Sequence, residues 1–91
     1  MRPHARKVAG VPLAMAFDSA DAARTFTFSF RHLEGVRQPT ELFVPRYQYP
    51  HGVDVAVSDG EWRLDAHLQT LFYTHGAERV EHTITLRLPR R

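Results

Sequence analysis

Residues 39–60 read PTELFVPRYQYPHGVDVAVSDG. Pro39 and Pro45 bracket a short run, Thr40 to Val44. Proline has no amide hydrogen to give a ladder, so the two prolines set the ends of a strand there. Arg46 to Gly52 reads as a loop, with Pro50 holding Tyr49 in extended geometry. Val53, Val55 and Val57 then alternate with polar or small residues, the period of a strand with one buried face. Asp59-Gly60 closes the stretch, and Asp-Gly between alternating runs favours a two-residue type I′ hairpin. If Ser58 opposes Glu61, then Val57 opposes Trp62 and Val55 opposes Leu64. All four apolar side chains then share one face, and Trp62 is expected in the core.

The same period extends outward on both sides. Phe26, Phe28 and Phe30 alternate with Thr25, Thr27, Ser29 and Arg31, which predicts a strand over 25–31 with a phenylalanine core face. Val11, Leu13, Met15 and Phe17 are expected on one side of a strand over 11–17. Residues 1–10 read as an extended arm, because Pro3 and Gly10 oppose regular structure. Toward the C-terminus, residues 68–74 carry apolar side chains on both faces, the mark of a central or doubly covered strand. Val80, His82, Ile84, Leu86 and Leu88 form one face of a last strand that ends at Pro89. Seven to eight strands at short spacing, without a helical pattern, predict an all-β fold: a single antiparallel two-sheet sandwich of immunoglobulin-like size.

Composition narrows the function classes. The chain has 91 residues, the length of one domain, and no cysteine, which excludes disulfides, thiolate metal sites and a cysteine nucleophile. One lysine stands against eleven arginines, yet ten carboxylates leave a formal charge of only +2. That balance argues against nucleic acid as a partner. The basic ends (Arg2, His4, Arg6, Lys7; Arg87, Arg90, Arg91) read as solvated termini. No apolar run approaches the roughly 20 residues of a membrane span. The N-terminal MRPHARKVAGVPLAMAF has basic residues before an apolar run, as a signal peptide does. Gly10 and Pro12 interrupt that run and Asp18 stops it, so a strand is the better reading.

Several short motifs, taken in order, are similar to the C-terminal β-sandwich domain of endoglycoceramidase-type glycoside hydrolase family 5 enzymes. They are Val8-Ala9-Gly10-Val11-Pro12, Pro39 to Arg46, Tyr49-Pro50, Val53-Asp54-Val55, Ser58-Asp59-Gly60 and Gln69-Thr70-Leu71. The likeness runs from about Arg2 to Leu88. It departs at Gln48, where the family pattern favours His. The resemblance implies a non-catalytic accessory module. In that family two glutamates of a preceding (β/α)8 barrel cleave the bond between sugar chain and ceramide in a retaining mechanism. The sandwich packs against that barrel and supplies no catalytic residue. The resemblance also implies secretion. A barrel needs about 250 residues and is not part of this sequence. Met1 therefore reads as the start of an isolated reading frame or as an introduced start codon.

Six histidines, His4, His32, His51, His67, His75 and His82, form no HxH or HxxxH pair, so no metal ligand set is expected and no cofactor is called for. His82 lies on an apolar face and reads as a core or edge histidine. The carboxylates fall on polar faces or in turns and read as solvated; Asp18 and Asp21 share one turn without the ligand run of a calcium loop. Arg46, Tyr47, Tyr49 and His51 are the candidate binding residues. Their rings can stack on a sugar or anchor at a lipid headgroup, with Arg46 as donor, or pack on the missing barrel. The expected partner is the catalytic barrel docking at this loop, with weak dimerisation of the isolated domain through the same patch. The alternatives are a module binding glycan or glycolipid headgroup, and an independent interaction domain.

Overall fold

A computed structural model describes residues 2–89. Met1, Arg90 and Arg91 lie outside the described residues, and with them the reading of the last two arginines as a solvated tail. Eight strands follow in order: β1 (His4–Lys7), β2 (Gly10–Phe17), β3 (Phe26–His32), β4 (Thr40–Phe43), β5 (Asp54–Val57), β6 (Glu61–Asp65), β7 (Thr70–Thr74) and β8 (Glu81–Arg87). They form two antiparallel sheets, ordered β1-β4-β7-β6 and β2-β3-β8-β5.

The core lies between the sheets and follows the alternation. Phe26, Phe28, Phe30, Ile84 and Leu86 of one sheet meet Leu42, Leu71 and Tyr73 of the other, all at most 1% exposed. Thr27 and Ser29 pair with Thr85 and Thr83 on the outer face, where Ser29 Oγ and Thr83 Oγ1 lie 3.2 Å apart. β7 is central in its sheet, as its two-sided apolar pattern predicts. Its strand begins only at Thr70, and Leu68 is exposed in the preceding turn.

Four expectations need correction. The first ten residues hold a strand: β1 pairs with β4, and a bulge between Ala5 and Lys7 absorbs the irregular sequence. Its basic side chains are anchored, although exposed. The Arg6 guanidinium lies 4.5 Å over the Phe43 ring and donates to Thr70 Oγ1, and Lys7 reaches Glu41. Second, Val11, Leu13, Met15 and Phe17 do not share a face. A bulge between Pro12 and Ala14 shifts the parity, so Val11 sits opposite Arg31 whereas Met15 and Phe17 sit opposite Phe28 and Phe26.

Third, Asp59-Gly60 makes no hairpin. β5 pairs with β8 and β6 pairs with β7, in different sheets, so the turn is a corner that carries the chain across the sandwich. Gly60 has φ +76° but Asp59 does not share the left-handed region, as a type I′ turn demands of both central residues. Val57 therefore opposes Ile84, and Trp62 opposes Tyr73. Fourth, Trp62 is not core: it is 45% exposed, because β6 is an edge strand.

Candidate functional site

The loop that carries the candidate binding residues is folded back on the sandwich. Pro45 is fully buried, and its carbonyl accepts the amides of Gln48 and Tyr49. The Arg46 amide donates to Gln69 Oε1 at 2.9 Å. Tyr49 turns inward, 3% exposed, and its hydroxyl donates to the Arg24 carbonyl at 2.7 Å. Burial pushes that phenol up to about 12. The Arg24 guanidinium in return donates to the Gln48 carbonyl at 3.0 Å. Arg46, Tyr47 and His51 face solvent, Tyr47 at 75% exposure. The structure thus leaves three of the four predicted residues exposed and uses the fourth as the loop's anchor.

The densest polar chemistry lies elsewhere, at the end of the sandwich where the corner Asp59 meets β3, β7 and β8. His82, wholly buried on β8, has Nδ1 2.7 Å from Asp59 Oδ1, and its Nε2 lies 2.8 Å from His32 Nδ1. Asp59 also accepts the Tyr73 hydroxyl (3.0 Å), the Ser58 hydroxyl (2.9 Å) and the Gly76 amide (2.9 Å). Burial alone would raise this carboxyl. The hydrogen bonds from His82, Ser58, Tyr73 and Gly76 outweigh it and hold the group at about 2.

An ionised Asp59 only accepts, so His82 donates to it through Nδ1–H, and one proton is shared between His82 Nε2 and His32 Nδ1 across their 2.8 Å contact. His75 stacks on His32 with centroids 4.4 Å apart and planes 11° apart. Burial, together with the neighbouring His32 and His82, lowers the His75 imidazole from its ordinary value. Asp59 and His82 are thus a carboxylate–imidazole pair whose structural effect is to tie the two sheets together. Among the described residues no three His, Cys, Asp or Glu side chains are placed to hold a metal ion. Sequence reading placed His82 on an apolar face. It missed the cluster because the partners lie far apart in the chain and only the fold joins them.

The remaining candidates act on their own turn. Asp18 Oδ1 accepts the amides of Ala20 and Asp21, and Asp21 Oδ2 accepts the Thr25 hydroxyl at 2.6 Å.

Against known proteins, residues 2–86 match the glycoside hydrolase family 5 C-terminal domain. No curated protein is a significant sequence match. Among solved structures, endo-glycoceramidase II from Rhodococcus sp. superimposes with a TM-score of 0.76 at 22% identity, over 98% of this chain and 19% of that one. Sterylglucosidase 1 from Cryptococcus neoformans does so with a TM-score of 0.82 at 21% identity, over 96% of this chain and 13% of that one. At these identities the likeness is one of fold, and the chain spans less than a fifth of either solved protein.

Proposed function

Since this chain belongs to the glycoside hydrolase family 5 C-terminal domain family, we propose that it is a non-catalytic accessory module that packs on and stabilises a retaining glycosidase barrel. The proposed substrates of that enzyme are glycosphingolipids. Endo-glycoceramidase II, one of the solved relatives in fold, has been captured with ganglioside GM3.

One observation carries the docking role. β2 is an edge strand with Leu13 44% and Met15 54% exposed. Between it and β1 runs an apolar groove of about 370 Å3 lined by Ala5, Val8, Leu13 and Met15. A free apolar edge invites association and needs a cover. The neighbouring solved proteins are several times the length of this domain, and the proposed barrel of such an enzyme is that cover. The Arg46–His51 loop offers Tyr47 as a second contact at most, since Tyr49 is committed to the core. The β2 strip also favours weak self-association of the isolated domain.

The test is binding of this chain to a separately produced family 5 barrel from the same organism. Leu13→Glu with Met15→Lys should weaken it by at least about tenfold, or ~1.4 kcal/mol. Tyr47→Ala should change it little. Undiminished binding by the β2 variant together with loss in Tyr47→Ala would move the docking face to the loop. No binding by the unaltered chain would count against the role itself.

A further inference from the structure

The two sheets leave the sandwich open along two edges. The β1/β2 mouth is apolar, as described. The β5/β6 mouth is different. It holds a groove of about 720 Å3, within the roughly 300–1,000 Å3 span of small-molecule sites. Trp62 forms part of its wall. By register it belongs to the inner face, opposite the buried Tyr73, yet it is 45% exposed. The cause is that β5 and β6 are short edge strands of opposite sheets, and no further strand covers the indole.

Polar groups converge on the same groove from three elements. Asp21 comes from the turn before β3, Asp54 from the start of β5, and Thr85 and Arg87 from β8. Asp54 and Arg87 are register partners on the outward face. Within the described residues neither makes a hydrogen bond to another side chain, so both can serve a ligand. Asp21 is held in place by the Thr25 hydroxyl and by the amides of Ala23 and Thr25. It still has acceptor capacity to spare.

We propose that this groove is a saccharide-binding site, in which the Trp62 indole stacks on the apolar face of a pyranose ring while Asp21, Asp54, Thr85 and Arg87 bond its hydroxyls. The chemistry selects the class. A half-exposed indole beside the core offers a flat apolar platform. Carboxylates and a guanidinium form strong charge-assisted bonds to hydroxyls. Two carboxylates against one arginine disfavour phosphate, sulfate or a carboxylated ligand. A ring with mainly equatorial hydroxyls fits best, because its flat C–H face is free to stack while its rim stays polar. The site is independent of barrel docking, because it lies at the opposite mouth. Either proposal can fail alone.

Trp62 is the sole tryptophan of the chain, so its emission reports directly on the groove. Titration of the full chain with cellobiose and with lactose should give a saturable emission change with Kd on the order of 1 mM. Glycerol at equal concentration should give none. Amide resonances of Asp54, Ala56 and Thr85 should shift with the same saturation. Arg87→Gln and Asp54→Ala alter exposed, unbonded side chains, so they leave the fold intact. Each should weaken binding by about fivefold or more. Trp62→Ala, followed by the amide shifts, should abolish it. Unchanged emission and amide shifts up to about 50 mM sugar would overturn the proposal. So would saturable shifts confined to Arg46–His51, or binding that survives Trp62→Ala.

Discussion

His82 Nδ1 lies 2.7 Å from Asp59 Oδ1, and this one contact joins β8 of one sheet to the corner that starts the other sheet's edge strand. The imidazole is wholly buried, and no buried side-chain nitrogen or oxygen among the described residues lacks a partner. Removing the carboxylate would strand His82 Nδ1 and the Gly76 amide, while the Tyr73 hydroxyl keeps the Asp59 backbone carbonyl at 2.8 Å. Asp59→Ala is expected to cost about 3 kcal/mol, since each buried donor left unpaired costs ~1–3 kcal/mol. For a domain of this size the melting temperature should fall by more than about 10 °C. A loss below ~1 kcal/mol in urea unfolding would show that the cluster is solvated rather than a tie.

The same carboxylate sets the acid limit. Its folded pKa of about 2 lies below the ordinary 3.8. A depressed carboxylate stabilises fully above the unfolded value and loses that contribution as pH falls through the folded one. Stability should therefore drop between about pH 4 and pH 2. Asp59→Asn should flatten the curve over that window when unfolding is followed by circular dichroism.

His75 acts at milder pH. Its imidazole titrates below 6.5 in the folded chain, for burial and the adjacent His32 and His82 disfavour its charge. Between that lowered value and 6.5 the unfolded chain binds the extra proton, so stability falls as pH drops below about 6.5. His75→Phe keeps a ring to stack on His32 and removes the titration. Its melting temperature should depend less on pH from 7.5 to 5 than that of the unaltered chain. An equal dependence in both would assign the effect to another group.

Gly60 makes the corner possible. Its φ of +76° is one that L side chains rarely adopt, and a Cβ there would collide with the Thr74 carbonyl. Gly60→Ala should destabilise by about 2 kcal/mol or more. Denaturant melts decide this, and a change under ~0.5 kcal/mol would mean that the corner relaxes freely.

Tyr49 and Tyr47 stand two residues apart and should behave oppositely. Tyr49→Phe loses the bond to the Arg24 carbonyl and should cost about 1 kcal/mol. Tyr47→Ala removes an exposed ring and should stay within about 0.5 kcal/mol. Thermal unfolding of the pair distinguishes an anchored loop from a loose one.

The alternation of Phe26, Phe28, Phe30 and of His82, Ile84, Leu86 marks two strands and their inward faces in the sequence alone. Hydrophobic burial at period 2 is a local constraint, so a local reading finds it. Pro39 and Pro45 bounded β4 for a similarly local reason, the missing amide hydrogen. The position of the loop over residues 46–52 was also legible. The inward turn of Tyr49 was not, because a loop tyrosine can face either way until a partner carbonyl such as that of Arg24 is present.

The Asp59-Gly60 reading failed instructively. Pairing Val57 with Trp62 put every apolar side chain on one face. A corner between two facing sheets satisfies the same pattern, because both inner faces point into one core. Sequence by itself determined that this chain makes short strands with one apolar face, a phenylalanine-rich core and a sharp turn at Gly60. Those features rest on backbone sterics and on burial within a few residues. Only the tertiary structure decided which strands pair, which rings stay half in water, and that Asp59, His82, His32 and His75 meet. Those outcomes depend on contacts between residues far apart in the chain, and no local pattern encodes the choice of partner.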